Sequence, residues 1–285
     1  VNLQPNLSDM HKMTFIPVGG LANRMRAVSS AVTLAQKTNT TIDIVWFQDW
    51  ALHAPFKTLF YPINIQNTHL REATLTDHIL YDRPRKRNMN IPLFFQKILF
   101  KTCLYEKSIT PLCKQQFNFE HWIQQGNAYM ASYTNFLDYS YDLLRQLFIP
   151  LPPIQARIDH LCQQFSPYTL GVHIRRTDNA ASIEQSPIEL FFDAIDKEID
   201  LFADTSIYLA TDDESVKLEL QKRYGKRLIF AKDKADRSSI AGIQGGIVDM
   251  YVLARTQKIF GSFHSSFSEL AAQIGNIPLE IIKKE

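Results

Sequence analysis

Gly171-Val-His-Ile-Arg-Arg-Thr-Asp178 is apolar as far as His173, apart from its histidine, and then turns abruptly polar. The apolar part, from Tyr168 to Ile174, reads as a strand, and the polar residues fall where that strand should end. In an open α/β sheet, ligands collect at the carboxyl ends of strands. His173 and Arg175 share one face, because alternate strand residues point the same way; Arg176 lies just beyond and can point elsewhere. Guanidinium forks match phosphate oxygens and stay charged at any relevant pH. Two of them at a strand end suit a diphosphate, and can stabilise charge that develops on it as a leaving group without a metal. The alternative is structural, with one or both arginines paired to Asp178 or Asp213.

Outward from this stretch the chain alternates regularly. A helix over 154–164 precedes the strand, and helix 187–202, strand 206–210 and helix 214–224 follow it. Strand 227–230, helix 247–255, strand 258–261 and a helix over 266–274 complete the rhythm, which predicts a doubly wound domain over 151–285. Pro150-Leu-Pro-Pro153 is the strongest linker signal, since three prolines in four residues stop regular structure. The preceding half, 1–150, opens with strand Thr14–Val18, Gly19-Gly20, and a helix from about Asn23 to Lys37. Ala27, Val28, Ala31, Leu34 and Ala35 give that helix one buried face. Thr41–Phe47 follows as a second strand, so this domain also opens βαβ, with a parallel sheet expected. Between Trp50 and Phe148 the pattern is less regular: Ile91–Tyr105 reads as helical after Pro92, and Arg83 to Arg87 as a solvated basic loop.

The sequence has 285 residues, 45% of them hydrophobic, enough for two ordinary domains with sizeable cores. Its net charge of +2, from 31 Lys plus Arg against 29 Asp plus Glu, argues against a broad nucleic-acid-binding surface. Cys103, Cys113 and Cys162 have no metal-ligand spacing and read as free thiols of a reducing compartment. No apolar run is long enough to span a bilayer, and Val1 to Asp9 lacks signal-peptide regions. The expected location is cytoplasmic, with peripheral association at the membrane face left open.

Three further segments carry polar residues at strand ends. In Ile207-Tyr-Leu-Ala-Thr-Asp-Asp213, the aspartates either cap the next helix or support the arginines and bind hydroxyls. In Ile259-Phe-Gly-Ser-Phe-His-Ser-Ser-Phe-Ser268, a helix start rich in hydroxyls offers backbone N–H groups to phosphate, with capping by Ser265 or Ser266 as the alternative. Gly19-Gly-Leu-Ala-Asn-Arg24 permits close backbone approach to a ligand, although Asn23 can serve as a cap. Asp249, inside a helical pattern, can be a surface charge. Neither a zinc-hydrolase H-E-x-x-H nor a Walker-type lysine motif is present.

Taken in order and separation, these segments resemble the fucosyltransferase superfamily, and most closely the α-1,6-fucosyltransferase and nodulation-fucosyltransferase branch. The resemblance runs from Gly171–Asp178 through Ser186–Phe192, Tyr208–Asp213 and Asp249–Leu253 to Ser262–Ser266, with Gly19–Arg24 similar to the glycine-rich opening of the wider superfamily. It implies a GT-B fold, two doubly wound, Rossmann-like domains facing across a cleft. It also implies an inverting, metal-independent transfer from GDP-fucose to a glycan or glycolipid hydroxyl, with no cofactor. His173 and Asp249 match guanine-recognising positions, Arg175 the diphosphate-binding arginine, Arg176 its neighbour and Ser265 a hydroxyl beside the phosphates. Asp178, Asp212 and Asp213 match supporting acids, and Ser266, Gly20, Asn23 and Arg24 complete the expected nucleotide-sugar site. Asn179 stands where the branch has lysine, Ala22 where glycine is common, and Glu184, the nearest candidate base, is one residue out of register. The rival reading is a non-catalytic sugar-nucleotide- or glycan-binding protein on the same fold.

Overall fold

The computed structural model describes residues 12–177, 180–232, 236 and 238–284. The chain divides into two compact units, the first ending at Ile149 and the second beginning at Pro150.

The first unit runs β1 (Lys12–Pro17), α1 (Leu21–Thr38), β2 (Thr41–Trp46), β3 (Thr68–Glu72), α2 (Leu75–Leu80) and α3 (Ile91–Leu99). It continues through β4 (Thr102–Leu104), α4 (Glu106–Lys114), α5 (Phe119–Ile123), β5 (Ala128–Ser132) and α6 (Tyr141–Leu147). Its five strands are parallel, in the order β3-β2-β1-β5-β4. The chain steps outward from β1 to β3, then reaches the far edge at β4 and returns to β5. Winding therefore reverses between β1 and β5. The irregular middle of the sequence hides β3, β4 and β5 because two are short or at an edge, and β5, Ala-Tyr-Met-Ala-Ser, is buried on both faces and shows no alternation. Apolar residues expected to stay helical beyond Leu99 instead enter β4.

The second unit runs α7 (Pro152–Cys162), β6 (Thr169–Ile174), α8 (Ala180–Gln185), α9 (Ile188–Leu201), β7 (Ser206–Thr211) and α10 (Glu214–Tyr224). It ends with β8 (Leu228–Ile229), α11 (Ile240–Leu253), β9 (Lys258–Ser262), α12 (Ser266–Gly275) and β10 (Leu279–Ile282). The strands are again parallel, in the order β10-β9-β6-β7-β8, so winding reverses between β6 and β9. Leu170, Val172 and Ile174 of β6 pack with Phe191 and Ile195 of α9 and with Val216 and Leu220 of α10. The opposite face carries α11, which packs on α7 and α12. This helix starts at Ile240, seven residues before the expected 247, secured by a cap and a close backbone contact. The Ser239 hydroxyl accepts the Gly242 N–H at 3.1 Å. A Cβ at Gly242 would sit 2.2 Å from the Asp236 carbonyl oxygen, so the residue that weakens helix propensity is the one the packing requires.

Candidate functional site

Polar strand ends converge where the second sheet reverses. The last paired residues of β6 and β9 are His173 and Gly261. Just beyond them, the Ser262 hydroxyl donates to the His173 carbonyl at 3.3 Å and accepts the Arg175 N–H at 3.1 Å. One side chain thus continues the ladder after the backbones have parted. From the β7 side, Asp212 Oδ1 accepts the Arg176 N–H at 2.7 Å, while Oδ2 accepts the Thr177 hydroxyl at 2.6 Å and its N–H at 3.3 Å. The turn carrying both arginines is therefore held from both sides by side chains of neighbouring strand ends.

His173 is buried, its ring stacked on Phe267 of α12 with centroids 4.8 Å apart. The Ser265 hydroxyl lies 3.3 Å from His173 Nδ1. Burial pushes the imidazole down to about 4, Asp212 opposes this and the Arg175 charge adds to it, so the ring is neutral at physiological pH. Ser265 stands at the N-cap of α12, yet its hydroxyl makes no capping hydrogen bond. The capping alternative thus fails for Ser265, and the first-turn N–H groups of α12, with half-buried Ser266 among them, are left without a side-chain cap beside the strand end. His264, just before, is exposed and holds a left-handed φ of 52°, an uncommon conformation for a residue with a side chain.

The two guanidinium groups occupy different electrostatic surroundings. Arg175 is half-buried and acts on His173, whose ring faces α12. Arg176 is half-buried in the field of Glu189 on α9, Asp213, Asp212 and Glu219 on α10, and burial draws its pKa down. Its Nη1 is enclosed with no hydrogen-bond partner, and among the described residues none of these carboxylates forms an ion pair with it. Arg176 thus lies among carboxylates of α9, α10 and the end of β7.

Asp213 takes the capping alternative: its carboxylate accepts the Ser215 N–H at 2.8 Å and hydroxyl at 2.6 Å, which holds its pKa below the usual range. Asp212 is a positioning group for the arginine turn. Asp249 lies within α11, where Oδ1 accepts the Tyr208 hydroxyl at 2.6 Å. That contact places it against the middle of β7, three residues before the strand ends at Thr211. Glu184 is exposed on α8. Asp178 lies outside the described residues.

In the first unit, Gly19 has a φ of +86°, and Gly20 is the N-cap of α1 with no side-chain hydrogen bond. Asn23 is half-buried in the first turn and is not the cap. Arg24 requires correction as a ligand-binding residue. It is fully buried, and its Nε donates to the Gly19 carbonyl at 2.7 Å, Nη1 to the Phe47 carbonyl and Nη2 to Asp49 at 3.0 Å. Its guanidinium also lies 5.0 Å from the Trp46 ring centroid. Desolvation lowers its pKa to about 10, which still leaves it cationic. Asp49 pairs in turn with Arg83 at 3.4 Å, and Arg83 with Glu106 at 3.4 Å. Arg83 is thus a buried link rather than part of a solvated loop. Ser262, Thr177, Phe267 and Asp49 were not singled out from sequence. Ser262 at least had a signal as the first hydroxyl after the apolar part of β9, whereas Asp49 had none.

Among the described residues, no group of three His, Cys, Asp or Glu is arranged to hold a metal ion, and no helix is long and apolar enough to cross a membrane. Neither a family model nor a curated protein matches the sequence. Solved structures do match its fold. NodZ alpha-1,6-fucosyltransferase soaked with GDP-fucose superposes with a TM-score of 0.65 at 18% identity, covering 93% of this chain and 92% of that one. A variant of Arabidopsis thaliana FUT1 in complex with GDP gives 0.65 at 12% identity, over 97% of this chain and 71% of the other. POFUT1 in complex with GDP-fucose gives 0.57 at 10% identity, over 95% and 98%. At these identities the likeness establishes the fold: the chain has the two-sheet α/β fold of the fucosyltransferases.

Proposed function

We propose that this protein is an inverting, metal-independent glycosyltransferase of the GT-B type that moves fucose from GDP-fucose to a glycan or glycolipid hydroxyl. One observation carries the reading: Ser262 ties the Arg175 turn to the strand that leads into the uncapped start of α12. The Arg175 backbone and the first turn of α12 thereby meet at one strand end, which supports a diphosphate site built from a guanidinium and helix N–H groups. The acceptor hydroxyl attacks the anomeric carbon and passes its proton to a general base, the bond to the β-phosphate oxygen breaks, and Arg175 neutralises charge gathering on the departing GDP. Neutral His173, stacked on Phe267, offers a ring nitrogen to a purine edge without adding charge. GDP and GDP-fucose appear in the named structures that share the fold, which supports the choice of donor.

The test is Arg175→Ala assayed with GDP-fucose and an acceptor panel. Loss of a charge-stabilising donor should lower transfer about a hundredfold to a thousandfold, and near-normal turnover would remove Arg175 from this role. Exposed Glu184, one residue out of register with the family's candidate base, favours a second reading, a non-catalytic sugar-nucleotide- or glycan-binding protein. GDP binding by calorimetry with no hydrolysis or transfer of GDP-fucose is the result that selects it.

A further inference from the structure

Between Arg83 and Lys101 the sequence carries six cations, Arg83, Arg85, Lys86, Arg87, Lys97 and Lys101, and no carboxylate. Two of them are neutralised within the fold, Arg83 by Asp49 and Glu106 and Arg85 by Asp82 at 2.6 Å. Lys86, Arg87, Lys97 and Lys101 remain exposed. Interleaved with them is an unusual set of bare apolar side chains. On α3, Ile91, Phe94 and Ile98 recur at i, i+3 and i+7, so they share one face, and they are 43%, 65% and 66% exposed. Pro92 and Gln96 take the inner side of the same helix and are buried. On α2, Leu75 and Ile79 face outward at 88% and 51% exposure while Asp77 is buried beneath them. The two helices pack on each other. Before α3 the backbone passes through two consecutive left-handed residues, Met89 at φ 49° and Asn90 at φ 55°, and Met89 is 77% exposed. Such a conformation is costly without glycine, so the turn that presents Met89 is held against a local preference.

We propose that the outward faces of α2 and α3, with the Met89 turn, form a docking surface for an anionic lipid bilayer. Exposed apolar side chains grouped this way mark an interaction site, whereas scattered single ones do not. Charge selects the occupant. Protein–protein interface cores are depleted in lysine, but a lipid surface draws lysine and arginine to its phosphate headgroups while apolar side chains enter the acyl boundary. α3 has nine residues, too few to span and enough to lie in the plane. The surface rests on no part of the reaction proposed above.

The experiment is co-sedimentation of the purified protein with vesicles of equal parts phosphatidylglycerol and phosphatidylcholine, beside vesicles of phosphatidylcholine alone. Wild-type protein should pellet with the anionic vesicles and be released by high salt. Phe94→Glu with Ile98→Glu should abolish pelleting, and Lys86→Gln with Arg87→Gln should weaken it by about 25-fold, about fivefold for each cation removed. All four positions are exposed, so circular dichroism and melting temperature should match wild type. Failure of wild-type protein to pellet with anionic vesicles, or equal pelleting by the glutamate variant, overturns the proposal. So does a wild-type dimer in solution that the glutamate variant converts to monomer without a vesicle effect, since the face would then join two copies.

Discussion

Asp212 Oδ1 accepts the backbone N–H of Arg176 at 2.7 Å. A carboxylate from the end of β7 therefore fixes the turn that begins at the end of β6, and its other oxygen holds Thr177. The backbone that carries Arg176 thus depends on a residue that need not touch the ligand.

Asp212→Ala should therefore act on transfer through geometry. Removing hydrogen bonds to a charged acceptor is worth about 1.5–3 kcal/mol, so kcat/KM for GDP-fucose should fall about tenfold to a hundredfold. Steady-state kinetics paired with calorimetric GDP titration checks it. Unchanged kcat/KM would mean that the turn holds its shape without Asp212.

His173 links the site to pH. In the unfolded chain its imidazole takes a proton near 6.5, but in the fold only near 4, so between these values the unfolded state binds more protons. Its contribution to stability is complete above 6.5 and is lost as pH falls through 4. The loss amounts to about 3 kcal/mol from pH 7 to pH 4. Urea unfolding at both pH values should show that His173→Gln loses about that much less than wild type on acidification. Parallel losses in the two proteins would refute the buried neutral state.

Arg24 should behave as a structural residue. Arg24→Ala leaves Asp49 buried with a weaker counter-charge and should cost about 3–5 kcal/mol of stability. A second change, Asp49→Ala, should add less than its single effect, because the two share one interaction. Arg24→Lys keeps the charge and is the variant to titrate with GDP. An affinity near wild type is expected, and a large loss would restore Arg24 to the ligand.

Asp249 poses a question of base identity. Its carboxylate accepts the Tyr208 hydroxyl, and a carboxylate oxygen can also accept from the N–H edge of guanine. Competition of GDP and UDP against Asp249→Asn reads out whether that oxygen serves guanine. A preference for GDP that disappears in the variant supports guanine reading, whereas an intact preference with lowered melting temperature assigns Asp249 to Tyr208 alone.

Legibility differed sharply between particular residues. The start of α10 at Glu214 and the polar break after Ile174 were readable because capping and strand-end polarity are local signals. The first seven residues of α11 were not, since Gly242, Gly245 and Gly246 argue against helix and only contact with Asp236 explains Gly242. Arg24 was expected at the ligand because Gly19–Arg24 resembles the glycine-rich opening of the superfamily, and of its contacts only the Gly19 carbonyl is local. Its partners Phe47 and Asp49 arrive from 23 and 25 residues away.

From the sequence alone came the alternation of strand and helix, the two-part division near Pro150 and the polar strand ends, all consequences of periodicity and propensity within short windows. Only the tertiary structure decided that β9 lies beside β6, bringing Ser262 onto the N–H of Arg175 across 87 positions. The physical reason is that strand order follows from long-range pairing and the packing of crossover helices, neither of which any short window contains.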